Sequence, residues 1–462
     1  MGRYVFRHHF CLILCGCLCF TAISRGATNP NLGAPLNTPL EQAPPLPSSS
    51  PQTPPGELNS NAEKATEQYA LSHERYEKAV AYSKAGYTLY FVSYALSGIV
   101  LFLMLRLGVA AKFRDIAENL SDKRWVQAFV FVPLLFVTIN LFKFPLRAYW
   151  HALSRHYEQS IQGWGSWLWD WAKGALLDMA FAIVIVLILF AVMRRSPRRW
   201  WLYFWFPAVA ILLGRIVLTP LVIDPLFNEF EPLNKEHPEL IAKIVRLTKH
   251  AGVPISENRM FLMVASRKTN AVNAYITGLS ASKRIVIWDT TIQRMTPDET
   301  LFIVGHELGH YVLGHVRQGF LMGAAGLFLA LYFLFRGLHW MLDHWAKDWK
   351  IYGQEDWACV AVLLLLLQVL LFFSSPVING VSRMEEHAAD VYGLEVIHGL
   401  VPNSEEVAAH AFQVLGELDL SDPNPPLFIT FWLYSHPPVA ERLVFAHSYD
   451  PWANGKSPKY VK

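Results

Sequence analysis

Charge is what this chain has least of. Only 17% of its 462 residues are Asp, Glu, Lys or Arg, against about 25% in ordinary soluble domains. Hydrophobic residues make up 53% and mean hydropathy is +0.24. That balance excludes a disordered chain and a fibre, because neither carries so much surface to bury. The net charge of +3 is small, and the basic residues are scattered among apolar runs. No phosphate-tracking stripe is present, so nucleic acid is not a partner. Cysteine is also scarce. Cys11, Cys15, Cys17 and Cys19 crowd one short segment and leave Cys359 alone, so the rest of the chain has no disulfide framework.

Long uncharged runs are abundant. A helix crossing the hydrocarbon needs roughly 20 mostly apolar residues, since each backbone polar group must be satisfied within the segment. Residues 86–105, 125–142, 174–193, 200–223, 319–335 and 357–378 each supply such a run. Six in one chain predict a multi-pass membrane protein, with the lipid bilayer as a partner. Ahead of them, residues 10–23 follow Arg3 and Arg7 and read as a signal-peptide core, with Gly26 and Ala27 as small residues for cleavage. The alternatives are an extra spanning helix or, from Leu14-Cys15-Gly16-Cys17, a lipoprotein box. Residues 28–55 are rich in Pro, Asn, Ser and Gly and read as an exposed linker, and helical character begins near Glu63. Two inter-span loops are basic, with Arg106, Lys112, Arg114, Lys123 and Arg124 in one and Arg194, Arg195, Arg198 and Arg199 in the other. By the positive-inside tendency both face the cytoplasm, which puts the region after residue 223 on the outer side.

That region contains Val304-Gly305-His306-Glu307-Leu308-Gly309-His310. Histidines four apart on a helix project from one face, so both imidazoles can reach one ion. Glu307 beside them is placed to act as a base without being a ligand. Thr296-Pro297-Asp298-Glu299 supplies a helix start just upstream. A catalytic zinc takes three protein ligands and one open position. Beyond the sixth run comes Ser382-Arg383-Met384-Glu385-Glu386-His387-Ala388-Ala389-Asp390. Glu386 and Asp390 stand one helical turn apart, so one carboxylate can bind metal while the other backs a ligand. A solvated charge cluster beside the membrane is the plain alternative, which the packing-compatible Ala388 and Ala389 argue against. His315 is five residues past His310 and, on a continuous helix, leaves the ligand face for a packing or polar role. Arg215 interrupts the fourth run and calls for a partner such as Asp178 or a wet cavity.

These residues resemble the integral-membrane zinc metallopeptidases of the type I CAAX prenyl protease and its bacterial heat-shock protease relatives. The marks are His306-Glu307-Leu308-Gly309-His310, Ser382-Arg383 with Glu386 and Ala389-Asp390, and Asn273-Ala274-Tyr275 with Gly278. Weaker ones are residues 74–79, Phe227-Asn228-Glu229-Phe230 and His436-Pro437-Pro438 with Arg442. The resemblance implies one zinc per chain on His306, His310 and Glu386, Glu307 as general base, and Arg383 and Asp390 behind the ligands. It further implies that Asn273, Ala274 and Tyr275 belong to a small sheet, with strands near 260–264 and 284–288, whose edge pairs with an extended peptide. His436 would then donate to the oxyanion of the tetrahedral intermediate.

The expected fold is a mainly α-helical multi-pass membrane protein with an α+β zinc metalloprotease domain carrying a small β-sheet. Its expected division is 1–27 signal peptide or helix, 28–60 linker, 61–226 four spans, 227–318 zinc domain, 319–380 two spans and 381–462 the remainder of the catalytic part. The expected activity is endopeptidase cleavage of membrane-associated or exported proteins. Removal of a tripeptide from prenylated proteins stands as the alternative. A transporter or channel with a metal-binding insert is a third reading, against which no paired broken helices or matching halves are found.

Overall fold

The computed structural model describes residues 69–278, 283–453 and 455–461; the expected signal peptide and linker lie outside the described residues. Each of the six apolar runs lies on a long helix. α1 is His73–Arg106. A short α2, Val109–Leu120, follows, then α3, Arg124–His156, and α4, Trp164–Arg195. α5 is Trp200–Leu218 and continues through a π turn, Thr219–Ile223, into α6, Asp224–Phe227. Among the described residues, six helices are long and apolar enough to cross a membrane: α1, α3, α4, the α5–α6 run, and two more introduced below.

After β1 (Phe230–Pro232) come α7 (Pro238–His250), β2 (Met260–Met263), β3 (Ala274–Thr277) and β4 (Arg284–Trp288). The sheet order is β1-β2-β4-β3. β2 runs parallel to β4, while β1 and β3 are antiparallel edge strands. α8 (Asp289–Arg294) leads to α9 (Pro297–Val312). Then come α10 (His315–Trp349), α11 (Cys359–Ile397), α12 (Ser404–Leu418), α13 (Leu427–Leu433) and α14 (Val439–Ser448). α10 and α11 complete the six spanning-length helices.

Two large apolar cores result, beside two smaller clusters, one around Val286 and Trp288 and one around Tyr82. One large core fills the bundle, with Phe131, Phe190, Trp200, Leu331 and Trp357 fully or almost fully buried. The other joins the sheet to α7, α9, α12 and α14 through Ile244, Ile287, Phe302, Phe412 and Leu443. α11 belongs to both, through Val360 to Leu371 in the first and Tyr392 to Ile397 in the second. One uninterrupted helix therefore carries the chain from the membrane bundle into the sheet-containing part. The expected boundaries at 318 and 380 fall inside α10 and α11, and α11 runs on through Pro376 and Gly380.

The basic loops meet at one end of the bundle. Arg114 binds Asp356 (Nη1–Oδ2 2.5 Å) and donates to the Lys350 carbonyl at 2.8 Å. Gln354 in the same loop donates to the Pro197 carbonyl at 3.2 Å. At the opposite end, Asp170 near the start of α4 pairs with Lys268 of the sheet-containing part at 3.3 Å. Among the more deeply placed charges, Arg215 and Arg147 both act on Asp178 electrostatically, the relationship the fourth run calls for.

Candidate metal centre

α9 is built to start where it does. The Thr296 side chain accepts the Glu299 N–H, the Glu299 carboxylate accepts the Thr296 N–H at 2.8 Å, and Pro297 occupies the first turn, where it forfeits no bond. Its Glu299 also pairs with His410 of α12. Burial alone would raise the Glu299 pKa, but His410 and the Thr296 N–H outweigh it and hold the carboxyl below its ordinary value. The Glu299 hydrogen bond in turn raises His410. This cap anchors the helix on which His306, Glu307 and His310 lie.

α9 packs against α11 with almost no space between the backbones. A methyl group on Gly393 would stand 2.9 Å from the His306 nitrogen, and one on Gly305 would stand 2.8 Å from Val396 Cγ1. Because glycine has no Cβ, the two helices approach closely enough for side chains on both to share one point. There, His306 Nε2 lies 3.2 Å from His310 Nε2 and 3.1 Å from Glu386 Oε2. His310 Nε2 lies 3.5 Å from Glu386 Oε1. His306 and Glu386 are buried, and His310 is partly exposed.

A second ring of contacts orients this group. Asp390 Oδ1 stands 2.8 Å from His306 Nδ1, a carboxylate placed to favour the imidazole proton on that nitrogen and so to offer Nε2 to an ion. Two imidazole nitrogens and a carboxylate converge on one small volume, a donor set of the kind that holds a divalent cation. Arg442 of α14 holds Asp390 from the far side with two guanidinium nitrogens, Nε–Oδ2 2.8 Å and Nη2–Oδ1 2.5 Å. His310 Nδ1 is 2.9 Å from His315 Nδ1. α9 ends at Val312, and Gly314, at φ 74°, turns the chain into α10. Rotation counted along a single helix does not apply to His315, which returns to the ligand histidine in a polar role.

His436 Nε2 lies 3.2 Å from Glu386 Oε2, and its Nδ1 is 3.0 Å from Ser435 Oγ. Ser382, one turn ahead of Glu386, donates to the Ser435 carbonyl at 2.8 Å. Arg383 does not stand behind the ligands as the resemblance implies. It points along α11 to the Thr430 and Tyr434 carbonyls, at 2.9 and 2.5 Å, and so holds the segment that leads to His436. Glu307 is half-buried on α9 between the two histidines. Ala274 and Tyr275 lie on the edge strand β3, paired to Ile287 and Val286 of β4. The Asn273 backbone is already engaged, its N–H with Thr291 Oγ1 at 2.8 Å and its carbonyl with the Trp288 N–H at 3.0 Å. Arg442 was visible in the sequence only as part of a weak motif, with nothing to name its partner.

The chain is similar to known proteins. Residues 234–449 match the profile of peptidase family M48, and residues 58–229 match that of the CAAX prenyl protease N-terminal region, five membrane helices. YhfN of Bacillus subtilis (strain 168), named as an uncharacterized metalloprotease, is 35% identical over 373 residues, which is 80% of this chain and 85% of that protein. CAAX prenyl protease 1 homologs of Dictyostelium discoideum and Oryza sativa subsp. japonica are 31% and 28% identical. The first match takes in 58% of this chain and 60% of its relative, the second 81% and 87%. The crystal structure of S. mikatae Ste24p has the same fold, with a TM-score of 0.70 at 23% identity over 84% of this chain and 95% of that one.

Proposed function

The chain belongs to peptidase family M48, and from that premise we propose that this membrane protease is a zinc endopeptidase acting on membrane-associated or exported proteins. His306, His310 and Glu386 hold the ion, and Glu307 is the general base. The observation that carries this reading is the ligand triangle. Tetrahedral zinc with bonds near 2.0–2.1 Å sets its ligand atoms about 3.3 Å apart, and the three edges here are 3.1, 3.2 and 3.5 Å.

Bound zinc would act as the Lewis acid that polarises the scissile carbonyl and acidifies water. Glu307 accepts the proton from the attacking water and returns it to the leaving amine, so no covalent intermediate with the protein is needed. Asp390 keeps His306 in the tautomer that presents Nε2 to the ion, and Arg442 keeps Asp390 in place. His436, oriented through Nδ1 by Ser435, donates from Nε2 to the oxyanion as charge develops there. The outer edge of β3, at Ala274 and Tyr275, aligns an extended substrate by main-chain pairing, with Asn273 fixing its start.

The basic loops and the metal centre lie at opposite ends of the bundle, which supports an outer location for the catalytic part by the positive-inside tendency. The relatives named CAAX prenyl protease 1 favour a second reading, cleavage of prenylated C-termini. A reporter fused after Lys462 separates the two, since a cytosolic signal would favour the prenyl substrate and sink the outer assignment. The metal assignment is tested by zinc content: purified wild type should hold one equivalent and Glu386→Ala much less. A full equivalent in that variant would move the third ligand elsewhere.

A further inference from the structure

We propose that α13, Leu427–Leu433, is a wedge embedded in the bilayer, with Leu427, Phe428 and Phe431 against lipid acyl chains, which makes the membrane itself the partner of the segment carrying Ser435 and His436. Residues this apolar are rarely presented to water in a row. Leu427 is 88% exposed, Phe428 56% and Phe431 54%, and the same surface continues onto the spanning helix α11 at Phe373 and Val377, 66% and 70% exposed. A lipid-facing surface of a spanning helix is covered by acyl chains, and Trp432 joins the α13 side chains to it, its ring 6.3 Å from Phe431 and 6.4 Å from Phe373.

Depth is fixed by ring contacts. Phe428 stacks on Phe91 of α1 at 6.1 Å, and Trp432 meets Phe372 of α11 at 4.9 Å. Phe91 lies 15 residues before Arg106, the basic end of α1, or about 22 Å along the axis at 1.5 Å per residue. Phe372 lies 13 residues past Cys359, or about 20 Å. Both depths fall inside a hydrocarbon layer about 30 Å thick.

A seven-residue helix cannot cross that layer, and backbone groups at its ends would be costly there unless satisfied. Toward its C-terminal end three carbonyls are: Asn379 donates to that of Trp432 at 2.7 Å, while Arg383 donates to those of Thr430 and Tyr434. Pro425 and Pro426 at the entry have no N–H to satisfy. The same hooks, with Ser382 on the Ser435 carbonyl, tie the wedge to α11 within the two turns before Glu386. A segment counted with the extramembrane catalytic part in the sequence therefore lies in lipid, and its depth sets where His436 can stand.

Nitroxide labels test this in full-length protein reconstituted into phosphatidylcholine nanodiscs, with the native cysteines replaced by alanine. A label at Phe431→Cys should show the oxygen-over-nickel-chelate accessibility of a label at Phe373→Cys. It should contrast with a label at Glu406→Cys, whose native side chain is 74% exposed on α12. Nickel accessibility matching the Glu406 position overturns the proposal. So does low accessibility to both reagents, the signature of a face covered by protein. Should the cysteine variants fail to fold, unmodified protein is irradiated in vesicles containing a phospholipid with an acyl-chain diazirine. Adducts within 427–431 are expected, and adducts at Phe373 with none in 427–431 would refute the wedge.

Discussion

Arg442 and Asp390, 52 residues apart in sequence, form a two-pronged buried pair whose far side is the His306 imidazole, with 2.8 and 2.5 Å on the arginine side and 2.8 Å on the histidine side. The arginine thus neutralises a carboxylate with no access to water, and the carboxylate sets the tautomer of a residue that faces the ion site. Truncating the arginine leaves a buried charge uncompensated, which costs about 3–5 kcal/mol.

The first prediction follows. Arg442→Ala should lower thermal stability sharply and, in whatever fraction folds, weaken zinc affinity about 10–100-fold, the usual effect of removing an outer partner of a ligand. Chelator competition reads the affinity. Arg442→Lys keeps the charge and loses the fork, so it should fall between the two. Unchanged zinc affinity in Arg442→Ala would show that Asp390 needs no such support.

Glu307→Gln isolates the chemical step. The amide is nearly isosteric and touches none of the three ligand atoms, so the variant should fold, keep one zinc per chain and lose about 10²–10⁴-fold in kcat on a peptide reporter. Retained turnover with full zinc would remove Glu307 from the base role.

The membrane bundle was legible because lipid demands a signal that sequence cannot hide. All six apolar runs lie on spanning-length helices, since a segment lacking internal satisfaction of its backbone has no place there. The ends of those helices were not legible. α10 continues to Trp349, past the run ending at 335, on turns where polar residues are admitted, and α11 carries on through Glu386 to Ile397. Within the site, His306 and His310 announce themselves by helical spacing. Arg442, His315 and the redirected Arg383 depend on contacts between distant segments or on a chain turn at Gly314, and no local periodicity reports those. The glycine after Leu313, a common helix terminator, was the available hint that His315 begins a new helix.

Gly393 sets the distance between the two ligand-bearing helices. Its missing Cβ would meet the His306 backbone at 2.9 and 3.0 Å, atoms that cannot swing away as a side-chain tip would. Gly393→Ala should therefore push α9 from α11, costing about 1–3 kcal/mol as overpacking does, and should open the gap between Glu386 and the imidazoles. Zinc content should fall even where the protein remains folded. Wild-type zinc binding and activity in Gly393→Ala would mean that the helices have room to spare.

The cap of α9 gives a pH dependence with a definite sign. His410 is raised above its ordinary 6.5 by the Glu299 carboxylate, so its contribution is complete below 6.5 and fades as pH rises through the folded value. Glu299 is held below its ordinary 4.5, so its contribution is complete above 4.5 and fades as pH falls through the depressed value. The pair therefore supports α9 most between about pH 4.5 and 6.5. The His410 side chain is 65% exposed, so solvent screening limits the effect to roughly 1 kcal/mol or less. His410→Ala should lower Tm most near pH 5.5 by this window, roughly midway between the two limits, and the difference from wild type should shrink steadily on going alkaline. A deficit that instead grows with pH would show that His410 supports the helix by packing rather than by charge.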